Sequence, residues 1–186
     1  MTDTTTSNRV AAMTGRVHRL GDNVDTDAML PGRYLALRDP AALGAHCLED
    51  LDPEFRTRAK PGDILVAGRN LGCGSSREHA VIALKAAGIH AIVAQSAARI
   101  FFRNAINLGL PVMISAEAAA GLEAGKLASV DPAAGEIRQD GRVWKAQPVG
   151  NEVEAILAAG GLIERVRQTL AVRAAPSPET RKGRNG

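Results

Sequence analysis

Short apolar runs alternate with amphipathic stretches through the middle of the chain. Residues 64–67 and 89–94 are almost continuously apolar, which is typical of strands buried on both faces of a parallel sheet. Residues 76–87 and 97–108 repeat apolar side chains at helical spacing, and a glycine follows each stretch, as expected at a helix end. This alternation predicts an α/β fold in which helices flank a parallel core sheet through right-handed crossovers.

The regions around this core have other patterns. Residues 15–20 alternate polar and apolar side chains and predict a further strand, whereas residues 21–31 are rich in Asp, Asn, Gly and Pro and predict a loop. Three short strand-like runs within residues 126–148, separated by Asp-Pro and by Asp140-Gly141, predict a small antiparallel hairpin element. Further helical patterns cover residues 40–51, 115–124, 151–159 and 162–172.

Composition divides the chain into one folded domain and two polar ends. Residues 1–12 and 173–186 are polar and lack apolar periodicity, which predicts disordered tails around a single domain at residues 13–172. The second tail holds four basic residues and one acidic residue, so its charge equals the net +3 of the whole chain. Because the folded part is neutral and holds only five aromatic side chains, we expect no nucleic-acid partner.

Membrane and secretory signals are not found in the sequence. No apolar run reaches the length of a membrane span, and the N-terminus has no basic segment followed by an apolar one. We therefore expect a cytoplasmic protein without a membrane partner. The two cysteines, Cys47 and Cys73, are too few for a disulfide framework or a self-contained metal site, so we expect this chain to bind no metal.

A glycine-rich stretch, Leu71-Gly-Cys-Gly-Ser-Ser-Arg-Glu-His-Ala80, lies between a buried strand and an amphipathic helix. Glycines let the backbone approach a ligand, and a helix N-terminus attracts anions. Ser75, Ser76 and Arg77 add two hydroxyls and a planar cation suited to a carboxylate or a phosphate. The spacing Ser75-x-x-Glu78 also predicts a capping box, with Ser75 as the helix cap.

Better-known glycine-rich motifs do not fit this stretch. It lacks the Gly-Lys-Ser/Thr of a P-loop and the complete spacing of a dinucleotide-binding fingerprint. It also lacks the Gly-x-Ser-x-Gly of hydrolases. From the residues alone, the stretch predicts an anion site in which Ser75 is either a helix cap or a reactive group.

Several separated motifs resemble one protein family. The runs Gly72–Ala80 and Arg99–Gly109 are similar to the small-subunit, or swivelling-domain, family of the aconitase superfamily. Gly21–Asp27 and Pro31–Leu35 fit the same family in the same order. Within it, the chain most resembles the short form of the 3-isopropylmalate dehydratase small subunits. The resemblance extends over residues 15–172 and implies a swivelling β/β/α domain.

This resemblance implies half of a two-subunit iron–sulfur hydro-lyase, active only with a large subunit. The expected reaction isomerises 2-isopropylmalate and 3-isopropylmalate by dehydration and rehydration in leucine biosynthesis. A [4Fe–4S] cluster is expected on the large subunit and none on this chain. Ser75 becomes the catalytic base, and Ser76 and Arg77 bind substrate carboxylate oxygens. Asp27 and Gly74 would orient the site without contacting substrate, while Asp27 equally fits an Asx-turn that shapes its loop.

The stretch Tyr34-Leu35-Ala36-Leu37 matches the part of the family that contacts the variable end of the substrate. Isopropylmalate enzymes often carry Tyr-Leu-Arg-Thr there, so this chain lacks the usual arginine. Its apolar residues favour an alkyl group over a further carboxylate, and Arg38 either binds a carboxylate or is a solvated surface residue. The alternatives are an alkylmalate, citramalate or homoaconitate hydro-lyase, or a non-catalytic anion-binding module.

Overall fold

The computed structural model describes residues 9–174. Within them, a seven-stranded sheet has the strand order β4-β3-β2-β1-β5-β6-β7. The strands are β1 (Met13–Arg19), β2 (Asp63–Ala67), β3 (Ile89–Ala94), β4 (Val112–Ile114), β5 (Leu127–Asp131), β6 (Glu136–Gln139) and β7 (Arg142–Lys145).

Strand β1 joins the parallel and antiparallel halves of this sheet. Its C-terminal part pairs in parallel with β2, with Val17 opposite Ile64, and β3 and β4 continue in parallel. Its N-terminal part pairs antiparallel with β5, with Met13 opposite Val130, and β6 and β7 complete the meander. The predicted parallel core and antiparallel element are thus confirmed, whereas the central position of β1 was not predicted.

Most of the helices connect one parallel strand to the next along the chain. They are α1 (Thr26–Met29), α2 (Pro40–Ala45), α3 (Phe55–Arg58), α4 (Glu78–Ala86), α5 (Arg99–Asn107), α6 (Ala116–Gly121), α7 (Asn151–Ala158) and α8 (Leu162–Ala174), with a 3₁₀ turn at Gly32–Tyr34. Helix α8 extends two residues past the expected end of the domain. The rest of the expected tails, apart from residues 9–12, lies outside the described residues. No helix of residues 9–174 has the length and apolar character needed to cross a membrane.

Two apolar layers bury the sheet, because successive strand side chains point to opposite faces. Leu65 and Ala67 of β2 belong to a cluster that includes residues of α1, α2, α4 and α5. Ile64 and Val66 belong to a second cluster with residues of α6, β5 and β6. This packing fixes the carboxyl ends of the parallel strands, where the loops with candidate site residues begin.

The helix after the glycine-rich stretch begins later than the sequence predicted. Helix α4 starts at Glu78, and its N-cap is Arg77, whose backbone is extended and whose side chain makes no capping hydrogen bond. The predicted capping box is therefore wrong, since Ser75 lies in the loop two residues before the cap. The N-cap of α5 is Ala98, which makes no capping hydrogen bond through its side chain, and the hydroxyl of nearby Ser96 accepts a hydrogen bond from the Asn70 amide at 2.8 Å.

A buried contact between a histidine and a carboxylate links β1 to the start of β2. Asp63 Oδ2 lies 2.7 Å from His18 Nε2, and the two side chains are 7% and 8% exposed. Asp63 also accepts hydrogen bonds from the backbone amides of Arg16 and Lys60 at 3.0 and 2.9 Å. Burial alone would raise the pKa of Asp63, but the hydrogen bonds from His18, Lys60 and Arg16 outweigh burial and lower it.

The carboxylate of Asp63 makes the free energy of unfolding depend on pH. The pKa of Asp63 is lower in the folded state than in the unfolded state, where it is about 4. The ionised Asp63 therefore stabilises the fold at pH values above the unfolded-state pKa, and this stabilisation is lost as the pH falls through the folded-state pKa. We expect Asp63→Asn to lower the free energy of unfolding by about 2 kcal/mol near neutral pH and to flatten the acid-induced decline. Urea unfolding across that pH range measures both.

The exposed Asp140, which pairs with Lys126 at 2.8 Å, provides a matched control. Asp140→Asn removes the same charge and should change the free energy of unfolding by no more than about 0.5 kcal/mol. An acid profile for Asp63→Asn that is identical to the wild-type profile would contradict the assignment.

Candidate functional site

The loops after β1 and β2 continue the parallel pairing of these strands beyond the sheet. The Asn23 amide donates to the Arg69 carbonyl at 2.8 Å, and the Gly72 amide donates to the Val24 carbonyl at 2.8 Å. The carboxyl ends of parallel strands are the usual ligand-binding edge of an open α/β sheet. The glycine-rich stretch is therefore held at this edge by backbone hydrogen bonds with the loop that leads into α1.

Two glycines give the glycine-rich loop its shape. Gly72 and Gly74 have φ angles of +73° and +92°, a region that disfavours residues with a side chain. A Cβ atom on Gly72 would also lie only 2.1 Å from Cγ of Phe101 in α5. The loop thus packs directly on α5, and the chain turns towards Ser75 immediately afterwards.

Thr26 fixes the backbone on both sides of Gly74. Its amide donates to the Cys73 carbonyl at 3.2 Å, and its hydroxyl donates to the Ser75 carbonyl at 3.0 Å. Thr26 is buried, so this contact is shielded from competing water. The sequence alone did not indicate this residue, although it directly precedes Asp27 and lies within the run Gly21–Asp27 that matches the family.

The two serine side chains have no structural task within the described residues. Ser75 and Ser76 are exposed, and neither hydroxyl makes a hydrogen bond with any residue of 9–174. The first turn of α4 follows them without a side-chain cap, so its free N–H groups and positive dipole end remain available to an anion. This arrangement leaves both hydroxyls free to contact a ligand.

Arg77 and Asp27 form an ion pair between the two loops. Arg77 Nη1 donates to Asp27 Oδ1, and the Arg77 side chain is 22% exposed, against 54% for Asp27. One of the five guanidinium donors is used, and the others remain for a second acceptor. Asp25 is the N-cap of α1, and its side chain accepts a hydrogen bond from the Ala28 amide at 2.7 Å. Asp27 thus contacts the guanidinium of Arg77, and its predicted role in orienting the site stays a prediction.

The segment with Tyr34 begins beside this ion pair. A Cβ atom on Gly32 would lie 3.4 Å from Asp27 Oδ1 and 3.6 Å from Arg77 Nη1. Further along, Ala36 and Arg38 are exposed. Leu35, Leu37 and Tyr34 are partly buried against the core cluster below the loop. Of the residues predicted to contact the variable end of a substrate, Ala36 and Arg38 thus have the most accessible side chains.

The chain offers no resident metal centre within the described residues. No group of three or more His, Cys, Asp or Glu side chains in residues 9–174 is placed to hold a metal ion. Cys47 is buried, and burial raises the pKa of its thiol to about 12, so the thiolate form is disfavoured. Cys73 is only partly exposed. These residues do not fit an iron–sulfur cluster.

Comparison with known proteins agrees with this geometry. A protein-family model described as the aconitase C-terminal domain matches residues 22–117. A 3-isopropylmalate dehydratase small subunit from Caldanaerobacter subterraneus is 52% identical over 160 residues, which cover 85% of this chain and 99% of the relative. One from Caldicellulosiruptor saccharolyticus is 53% identical over 158 residues, covering 84% and 91%.

A solved structure extends the likeness to the fold. The crystal structure of a 3-isopropylmalate dehydratase from Methanocaldococcus jannaschii superimposes with a TM-score of 0.82 at 42% sequence identity. The match covers 88% of this chain and 98% of that one. The loop that positions Ser75, Ser76 and Arg77 lies within the part of the chain that the family model matches. The chain therefore belongs to the family of 3-isopropylmalate dehydratase small subunits, which contain the aconitase C-terminal domain.

Proposed function

We propose that this chain is the small subunit of a two-subunit hydro-lyase that interconverts 2-isopropylmalate and 3-isopropylmalate by removing water and adding it back. The observation that carries the proposal is the arrangement at the α4 N-terminus. Two free hydroxyls precede an arginine that is held by Asp27. Small dicarboxylates match this combination of neutral donors and a planar cation.

Ser75 is proposed as the base that takes the proton alpha to a substrate carboxylate. A serine hydroxyl is a poor base, and it can act only where positive charge stabilises its alkoxide. The uncapped start of α4 and Arg77, two residues away, supply that charge. Ser76 and the remaining Arg77 donors bind the carboxylate, on which negative charge accumulates as the proton leaves.

The variable end of the substrate is proposed to lie against residues 34–38. Ala36 presents a small apolar side chain, which favours an alkyl substituent. Arg38 is exposed, and its guanidinium makes no hydrogen bond within residues 9–174, so it could bind a further carboxylate. The small side chain of Ala36 favours isopropylmalate as the substrate. The guanidinium of Arg38, unpaired within those residues, supports the second candidate, a related alkylmalate, citramalate or homoaconitate hydro-lyase.

A large subunit is proposed to complete the site. Ser75 and its neighbours are open to solvent in this chain, and deprotonation next to a carboxylate needs a site from which water is excluded. The relatives are themselves named small subunits. We expect the partner to bind the [4Fe–4S] cluster, which would act as a Lewis acid on the leaving hydroxyl. A cytoplasmic location stays part of the proposal.

Reconstitution tests this function directly. The purified chain should be inactive alone and, with the large subunit of the same organism assembled anaerobically, should turn over 3-isopropylmalate. Citramalate and homoaconitate, offered in the same assay, distinguish the alternatives. Activity on another diacid alone would keep the reaction and replace the substrate. Binding of small carboxylates without turnover by any pair would favour the anion-binding module.

A further inference from the structure

Tyr34, which begins the proposed substrate-contacting segment, stacks on a residue that follows α2. The rings of Tyr34 and His46 lie 3.7 Å apart between centroids and are inclined by only 8°. Cζ of Arg33 lies 4.8 Å from the centre of the Tyr34 ring, within the range of a cation–π contact. The tyrosine is thus held by two side chains outside the catalytic loop.

These two side chains are themselves tied together by carboxylates. His46 Nδ1 lies 2.7 Å from Glu49 Oε2, and Arg33 donates to Glu49 and, through two bonds of 2.8 and 2.6 Å, to Asp50. Arg33 lowers the pKa of Asp50. Tyr34, followed by His46 and Arg33, lowers that of Glu49. The contacts close a ring from the tyrosine through histidine, glutamate and arginine back to the tyrosine.

The turn that carries these carboxylates is anchored to the core. Leu48 is fully buried, and its amide donates to the Met29 carbonyl at 2.8 Å. Cys47 is buried beside it. Gly32, two residues before Tyr34, lies against the ion pair of Asp27 and Arg77. Residues 32–48 are therefore fixed at both ends, to the catalytic loop at Gly32 and to the core at Leu48.

We propose that Arg33, His46, Glu49 and Asp50 form a clamp that positions residues 34–38 and so sets the preference among alkylmalates. Exposed ion pairs add little to global stability, so stability alone does not explain a closed network of this kind. Its effect is local, because it restricts where the Tyr34 ring and the following residues lie. These four side chains are positioning residues, and the inference rests on the proposed function.

The geometry of the clamp can be tested without activity. The chain contains a single tyrosine, so tyrosine labelled with ¹³C in its ring gives one set of NMR signals. We expect ring-current-shifted signals that move towards free-tyrosine positions in Arg33→Gln. Arg58→Gln is the matched control, because Arg58 is similarly exposed and pairs with Asp52 and Glu54 without contacting Tyr34. Equal spectra for all three proteins would overturn the clamp.

Its role in selectivity is tested with the reconstituted pair. For Arg33→Gln, we expect KM for 3-isopropylmalate to rise about tenfold with little change in kcat, and the preference over citramalate to fall. Arg58→Gln should leave both constants within about twofold of wild type. His46→Phe, which keeps an aromatic ring on Tyr34, should retain more selectivity than His46→Ala.

The outcomes separate the two proposals. A displaced tyrosine signal in Arg33→Gln with unchanged selectivity would overturn the role of the clamp but leave the proposed function intact. A wild-type pair that acts on neither diacid would overturn the proposed function and the selectivity role together, and the tyrosine signal would then describe only the geometry.

Discussion

Ser75→Ala is expected to lower kcat of the reconstituted enzyme by about a thousandfold while KM changes little. The substitution removes the group proposed to accept the proton but leaves the backbone contact from Thr26 to the Ser75 carbonyl in place. A serine that only capped its helix would behave differently, since its loss costs about 1 kcal/mol of stability and no turnover. Steady-state kinetics and urea unfolding of the same preparation distinguish these cases.

The position of Ser75 sharpens this test. Because it lies two residues before the cap of α4, we expect the free energy of unfolding to stay within about 0.5 kcal/mol of wild type. Ser76→Ala is the internal comparison, and it should lower kcat much less than Ser75→Ala does, because it removes one of several donors to the substrate carboxylate and leaves the base in place. Near-normal kcat in Ser75→Ala would eliminate the assignment of the base.

Arg77→Lys should lower kcat/KM by about a hundredfold, which corresponds to about 2.7 kcal/mol. Lysine keeps the charge but cannot hold Asp27 and a substrate carboxylate at once with a planar set of donors. The ion pair with Asp27 is partly exposed, so its loss should hardly affect stability. The measurement is substrate saturation of the variant pair, with thermal unfolding as a check on folding.

A second arginine joins the same two loops and supplies the control. Arg69 donates to Asp22 through its backbone amide at 2.8 Å and through Nε and Nη2 at 2.9 and 2.7 Å. The backbone hydrogen bond, followed by the side-chain hydrogen bonds, lowers the pKa of Asp22. Arg69→Lys therefore disturbs an equivalent bridge between the loops without touching the proposed site. Equal losses in Arg69→Lys and Arg77→Lys would mean that the bridges act only by holding the loops together.

The parallel core was predictable because its signal is local. Residues 64–67 are apolar at every position, and they form all but the first residue of β2, a strand buried on both faces. The start of α4 was mispredicted because the pattern Ser75-x-x-Glu78 considers only neighbours in sequence. In the fold, the hydroxyl of Thr26, 49 residues away, donates a hydrogen bond to the Ser75 carbonyl. The backbone of Arg77 is extended, so the helix cannot begin before this residue. A tertiary contact thus overrides a local capping preference.

The site was only partly predictable for the same reason. Ser75, Ser76 and Arg77 could be singled out because they are contiguous and match a family motif, and their roles stay predictions. The partnership of Arg77 with Asp27 spans 50 residues, and neither spacing nor composition indicates it. The contact between Tyr34 and His46 links a 3₁₀ turn to the irregular end of α2, where no periodicity exists to predict which side chains meet. The expected tails beyond residues 9–174 stay predictions.

The loop with Ser75 and the segment at residues 33–38 are attached to the rest of the fold in different ways, and this difference has an evolutionary consequence. Three hydrogen bonds between backbone atoms join residues 23–26 to the stretch that leads to Ser75, and such bonds tolerate many side-chain changes. The segment at residues 33–38 is instead attached through side chains to residues 46–50, in one nearby stretch of sequence. We therefore expect insertions, deletions or recombination within residues 33–50 to create new substrate ranges in paralogues, while the chemistry proposed for Ser75 is inherited unchanged.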